Sequence, residues 1–171
     1  INSLASRIAD MNQKIAAVTG SGHDPNDMLD QRDLLIKQLS EKIHVSTVEA
    51  PDGSMSIFIG GGQQLVLSNH AQSLGVAVDD FDASKLKITI GSYSGQAPVD
   101  ESQITGGALA GLLEVQNKDI ASARNLLGQM ASAISWRVNQ QQSFGLDLST
   151  PPTAGAALFD VGQPQVLPSR N

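Results

Sequence analysis

Apolar residues open the chain at Leu4, Ile8, Met11, Ile15 and Val18, and these alternating four- and three-residue steps predict a helix with one seam packed against another helix. Thr19-Gly20-Ser21-Gly22 ends it, since glycine accepts the left-handed backbone in which helices stop. A second helix is predicted from Asp24-Pro25. Asp24 is the expected cap for the first free N–H groups, Pro25 fits the first helical position, and Asp27 and Asp30 lie near the positive end of the helix dipole. Met28, Leu35 and Leu39, with Leu29, Ile36 and Ile43 on an adjoining stripe, require one face of this helix to be buried. So short a link predicts an antiparallel helical hairpin over residues 1–44.

After His44 the pattern changes to alternation. Val45, Thr47 and Glu49 lead into the turn Ala50-Pro51-Asp52-Gly53, and Met55, Ile57 and Ile59 then alternate with Ser54, Ser56 and Phe58, which predicts a β-hairpin. Gly60-Gly61-Gly62 breaks it, and Leu65-Val66-Leu67 reads as a short buried strand. Two further strands, through Leu74, Val76, Val78 and through Leu86, Ile88, Ile90, flank the turn at Asp79-Asp80-Phe81-Asp82. Residues 45–105 are therefore expected to form a small, mostly antiparallel sheet with one buried face.

Gly106-Gly107 precedes the longest helical signal, predicted over residues 106–145. Leu109, Leu113, Ile120, Ala123, Leu127, Met130 and Ile134 share one four-three repeat, widened by Leu112, Leu126 and Val138. Polar Gln116, Arg137 and Gln141 on the continued seam fit polar neighbours, fraying or plain exposure. The helix is expected to lie beside the hairpin, with Leu127 a seam residue that matters more to stability than Asp80. Residues 146–171, with Pro151-Pro152, Pro164 and Pro168, are expected to be irregular, anchored by Ala157-Leu158-Phe159. The fold class is thus α+β: an antiparallel helical bundle, made of a two-helix hairpin plus one long helix, with an inserted small antiparallel β-rich subdomain.

Composition narrows the function. The 171 residues carry a net charge of -6 and are 40% hydrophobic but only 4% aromatic, so the core must be aliphatic and nucleic acid is not an expected partner. With no cysteine, disulfides, thiol catalysis and thiolate metal sites are removed together. No apolar run approaches the ~20 residues that span a bilayer, and no membrane partner is expected. Because the sequence opens on Ile1 inside a helical pattern, it is expected to be an excerpt of a longer protein.

Candidate chemistry is sparse. His23, His44 and His70 are separated by turns and strands rather than by the short spacing that brings imidazoles onto one metal. His23 is expected in the cap region of the second helix and His44 at that helix's negative end. Asp79, Asp80 and Asp82 lack the spacing of a calcium loop, and Asp24, Asp27, Asp30 and Asp33 belong to one helix start rather than to facing walls of a cleft. Gly60-Gly61-Gly62 has no following lysine, and no Gly-x-Ser-x-Gly elbow occurs. No enzyme, metal or cofactor is expected.

Three blocks in order, Leu4-Ala5-Ser6-Arg7-Ile8-Ala9-Asp10-Met11-Asn12-Gln13-Lys14-Ile15, then Pro25-Asn26-Asp27-Met28-Leu29-Asp30-Gln31-Arg32-Asp33, then Gly106-Gly107-Ala108-Leu109-Ala110-Gly111-Leu112-Leu113-Glu114-Val115, resemble the flagellar hook-associated protein 1 family of hook–filament junction proteins. The resemblance reaches from about Ile1 to Gly162, where Leu158-Phe159-Asp160-Val161-Gly162 is similar to the family's lead into its outer domains. It implies a structural subunit of the bacterial flagellum, secreted by the flagellar type III apparatus and assembled extracellularly as a homo-oligomeric ring. The hook protein and the second junction protein would be its neighbours. An export chaperone would bind terminal segments absent from this sequence. The isolated chain, matching the helical shaft and a β-rich part nearer the outer surface, would be monomeric or weakly associating.

If the resemblance holds, neighbouring subunits meet through outward helix faces, and the candidates are Arg7, Asp10 and Lys14, then Arg32 and Asp33, then Lys118 and Arg124. Each is otherwise an ordinary solvated position. Arg32 falls on the Met28/Leu35 seam, where its methylenes can lie on apolar surface with the guanidinium near Asp33 or a partner's carboxylate; the other reading is a solvated edge. Alternatives are another axial flagellar protein (a flagellin, filament cap or second junction protein) or an extracellular binding or adhesin module using the β region.

Overall fold

The computed structural model describes residues 1–92 and 95–162. Two compact units divide the chain, Ile1–Glu114 and Val115 onward.

The first unit opens with the predicted hairpin, α1 (Asn2–Gly20) and α2 (Asn26–Lys42). Ala5, Ile8, Ala9, Asn12 and Ile15 of α1 and Arg32, Leu35 and Leu39 of α2 are its buried positions. One cap is corrected. Pro25 occupies the position expected of Asp24, and no side chain caps α2; the Pro25 carbonyl instead accepts from the Met28 and Leu29 amides at 2.9 and 3.0 Å.

All five predicted strands are present, but they form two antiparallel sheets rather than one. Strands β1 (Val45–Glu49), β2 (Met55–Ile59), β3 (Gln63–Leu67) and β4 (His70–Ala71) pair in chain order. Strands β5 (Ser73–Val78), β6 (Leu86–Ser92) and β7 (Gly95–Pro98) form the second sheet. The short β4 and β7 carry no alternation, which hid them from periodicity. Ile57, Ile59, Leu65 and Val66 of the first sheet and Ile88 and Ile90 of the second join Ile8, Leu39, Ile43, Val99 and Leu113 in one core. In the second sheet burial is incomplete: Val76, Val78 and Leu86 stay exposed.

Helix α3 (Gly107–Glu114) closes this unit against α2 and buries Leu113. Its start is tight. Gly107 has φ +80°, and a Cβ there would lie 2.6 Å from the Ile43 nitrogen and the Lys42 carbonyl carbon. Gly107→Ala is therefore expected to cost about 1–3 kcal/mol, measured as a lower urea midpoint, because backbone rather than a movable side chain blocks the added methyl.

In the second unit, a π turn (Val115–Asp119) leads into α4 (Ile120–Ser143). The predicted long helix is thus interrupted, and the expectation for its seam is overturned: no residue of α4 is buried, and Leu127 is 65% exposed. Leu127→Ala should change the stability of this chain by less than about 0.5 kcal/mol, the usual range for surface substitutions, with an unfolding midpoint close to that of Asp80→Ala.

The apolar anchor expected in the tail is polar instead. Leu158 and Phe159 remain exposed, while the Asn139 side chain accepts from their amides at 2.8 and 3.0 Å and donates to the Phe159 carbonyl at 2.7 Å. Within this tail, hydrogen bonds from the Ser149 and Thr153 hydroxyls hold the Asp147 carboxyl well below the usual carboxylate range. Pro164 and Pro168 lie outside the described residues.

Candidate subunit interface

Of the seven residues predicted to contact neighbours, three line one groove of the first unit. Arg32 is the clearest departure. It is 3% exposed, so its side chain has no outward face. Its Nη1 donates to the Gly53 carbonyl at 2.6 Å, tying α2 to the β1–β2 turn. The positive φ of Gly53 (+78°) turns that carbonyl, and a Cβ at Gly53 would meet the Ile15 Cγ2 at 3.4 Å. The Arg32 Nε is buried without a hydrogen bond, with the Asp33 carboxylate 4.0 Å away. Asp33 itself is 68% exposed and faces outward. Burial wins at Arg32 because its methylenes continue the Met28/Leu35 seam while one guanidinium nitrogen meets a fixed backbone acceptor.

The turn that Arg32 holds is also closed by its own hydrogen bonds. Asp52 Oδ1 accepts from the Ser54 hydroxyl at 2.6 Å and the Ser54 amide at 2.9 Å, which lowers the Asp52 pKa. The Ala50 amide donates to the Ser54 carbonyl at 2.8 Å and the Gly53 amide to the Ala50 carbonyl at 2.9 Å.

Two asparagines of α1 do comparable work, and periodicity alone had passed them over. Asn12, 1% exposed, donates to the Met55 carbonyl at 2.7 Å and the Ser68 carbonyl at 2.8 Å, and accepts from the Met55 amide at 3.1 Å. Asn2 exchanges two 2.8 Å bonds with the backbone of Leu74. A signal for Asn12 existed: it sits between Ile8 and Ile15 at steps of four and three, a polar residue at a seam position.

The other α1 candidates do come together. Arg7, Asp10 and Lys14 line a groove of about 350 Å³ between α1 and α2, with Met11, Gln31, Leu34, Leu35 and Gln38. Leu34, which belongs to neither apolar stripe, is 56% exposed there. Its off-stripe position was the sequence signal for a surface apolar contact. Lys118 and Arg124 belong to the second unit, in the π turn and on α4.

The histidines occupy separate elements: His23 Nδ1 lies 3.2 Å from the Ser21 hydroxyl, the His44 amide donates to the Gly106 carbonyl at 3.0 Å, and His70 begins β4. Among the described residues no three His, Asp or Glu side chains are grouped to hold a metal ion. No described helix is long and apolar enough to cross a membrane.

A helical hairpin whose buried Asn12 and Arg32 pin the first small sheet, with exposed Asn2 bonded to the second, defines a mixed α+β structural domain. The family described as the flagellar hook-associated protein FlgK helical domain matches residues 1–159. Flagellar hook-associated protein 1 of Escherichia coli (strain K12) is 32% identical over 98% of the chain, and that of Salmonella typhimurium is 30% identical over all of it. The chain spans 31% of the length of each. The solved flagellar hook junction protein FlgK from Burkholderia pseudomallei superimposes with a TM-score of 0.83 at 35% identity, covering 94% of this chain and 29% of that one. The chain belongs to the flagellar hook-associated protein 1 family.

Proposed function

We propose that this chain is the helical shaft segment of a structural subunit of the bacterial flagellum, placed outside the cell at the junction of hook and filament, and without catalysis. The observation that carries this reading is the agreement of the whole hairpin-and-sheet architecture with a hook junction protein across 94% of the chain. Function then consists of packing. The full-length protein, secreted by the flagellar type III apparatus with a chaperone on its terminal segments, forms a homo-oligomeric ring against the hook protein and the second junction protein. Within the shaft, Arg7, Asp10 and Lys14 are the favoured contact residues, with Asp33, Lys118 and Arg124 as further outward positions.

Deletion of the full-length gene in its motile host, followed by complementation, tests the reading. Cells lacking it should keep hooks, lose filaments and leak unpolymerised flagellin into the medium, and complementation should restore swimming. Normal filaments on the deletion strain would overturn it.

A further inference from the structure

We propose that the groove between α1 and α2 receives the acidic start of α2 from a second copy, so that successive copies join head to tail through their helical hairpins. The inference rests on the reading above, that the full-length protein assembles from like subunits.

The groove has the anatomy of a contact surface. Its apolar floor is Met11 and Leu35, with Leu34 largely exposed, and Arg7 and Lys14 outnumber Asp10 on the rim. None of these three charged side chains has an ion pair or hydrogen bond among the described residues.

Elsewhere on the hairpin lies the complementary surface. Asp24, Asp27 and Asp30 are exposed and equally without an ion pair or side-chain hydrogen bond among the described residues. Helix α2 makes no side-chain cap bond, so Asp24 is not consumed by capping, and the dipole accounts at most for Asp27 in the first turn. Met28 and Leu29, half-buried between these acids, add apolar contact. Two further acidic segments are already engaged: Asp80 pairs with Lys87 at 2.5 Å and Asp79 Oδ1 accepts from the Phe81 and Asp82 amides, while Asp100 Oδ1 accepts from Ser102 and Glu101 Oε1 from the Ile88 amide.

Charge selects the orientation. The chain carries -6 overall, so two copies repel in most arrangements, and a rim with a cation excess attracts an acidic segment of the next copy. Because the two surfaces are different patches of one molecule, the contact is heterologous, and repetition gives a closed ring or an open helix rather than a dimer.

Two experiments on the full-length protein test this. With Lys14→Cys and Asp27→Cys in an otherwise cysteine-free background, oxidation of isolated flagella should yield covalently linked multimers only when both cysteines are present. Arg7→Glu with Lys14→Glu should lower the subunit's occupancy of the junction by about tenfold, and Asp24→Lys with Asp30→Lys in the same chain should restore at least half of it. All these positions are exposed, so unchanged far-UV circular dichroism and thermal midpoint should accompany the loss. Wild-type occupancy after reversal, absence of the cross-link in assembled flagella, or a cross-link to another flagellar protein would each overturn the inference. Loss of filaments on gene deletion with any of those results separates failure of this contact from failure of the junction reading.

Discussion

Replacing Leu39 by alanine is expected to destabilise the chain by about 2–5 kcal/mol, read as a fall in urea midpoint with little change in slope. Leu39 is wholly buried in the last turns of α2, in the core cluster where the hairpin meets both sheets. The substitution removes three carbons from an aliphatic core with few rings able to relax into the space, so both the transfer and the cavity terms are incurred. A midpoint equal to that of Leu127→Ala would show that the core does not run through this point of α2.

Asn12→Ala is expected to cost about 3 kcal/mol, more than its lost surface explains. The carboxamide makes three hydrogen bonds to backbone 43 and 56 residues away, and its removal leaves the Met55 N–H and the carbonyls of Met55 and Ser68 facing a methyl group. Asn12→Leu should be no better, since volume returns without donors or acceptor. Hydrogen exchange supplies the specific readout: the Met55 amide should lose protection beyond what global destabilisation predicts. Unchanged Met55 protection would mean that Asn12 does not hold β2.

Arg32 and Asn12 show how far the sequence could be followed. Both interrupt apolar seams, and a seam position is legible from spacing. Spacing could not say what each would bond, since Gly53, Met55 and Ser68 are brought to the helices only when the sheets fold over them. For Arg32 the consequence was a wrong surface assignment: a charged residue on a seam edge reads equally as solvated or buried until its acceptor is known. Arg7, Asp10 and Lys14 are exposed, because an outward helix stripe is set by the same period that sets the inward one, and they line one groove. The residues that complete it, Gln31, Leu34 and Gln38, come from a second helix whose face toward α1 no single-helix pattern specifies.

The hairpin, the five alternating strands and the helix following Gly107 were legible along the chain, because periodicity, glycine placement and turn chemistry act over a few neighbouring residues. The Asp24–Asp33 motif also marks the family. Contacts between distant segments set the rest: the strands divide into two sheets, a buried amide and a buried guanidinium fasten the first of them to the hairpin, and the apolar repeat of α4 stays exposed. The reason is the range of the forces involved: a heptad repeat states that a face favours a partner, whereas burial depends on which distant surface reaches it.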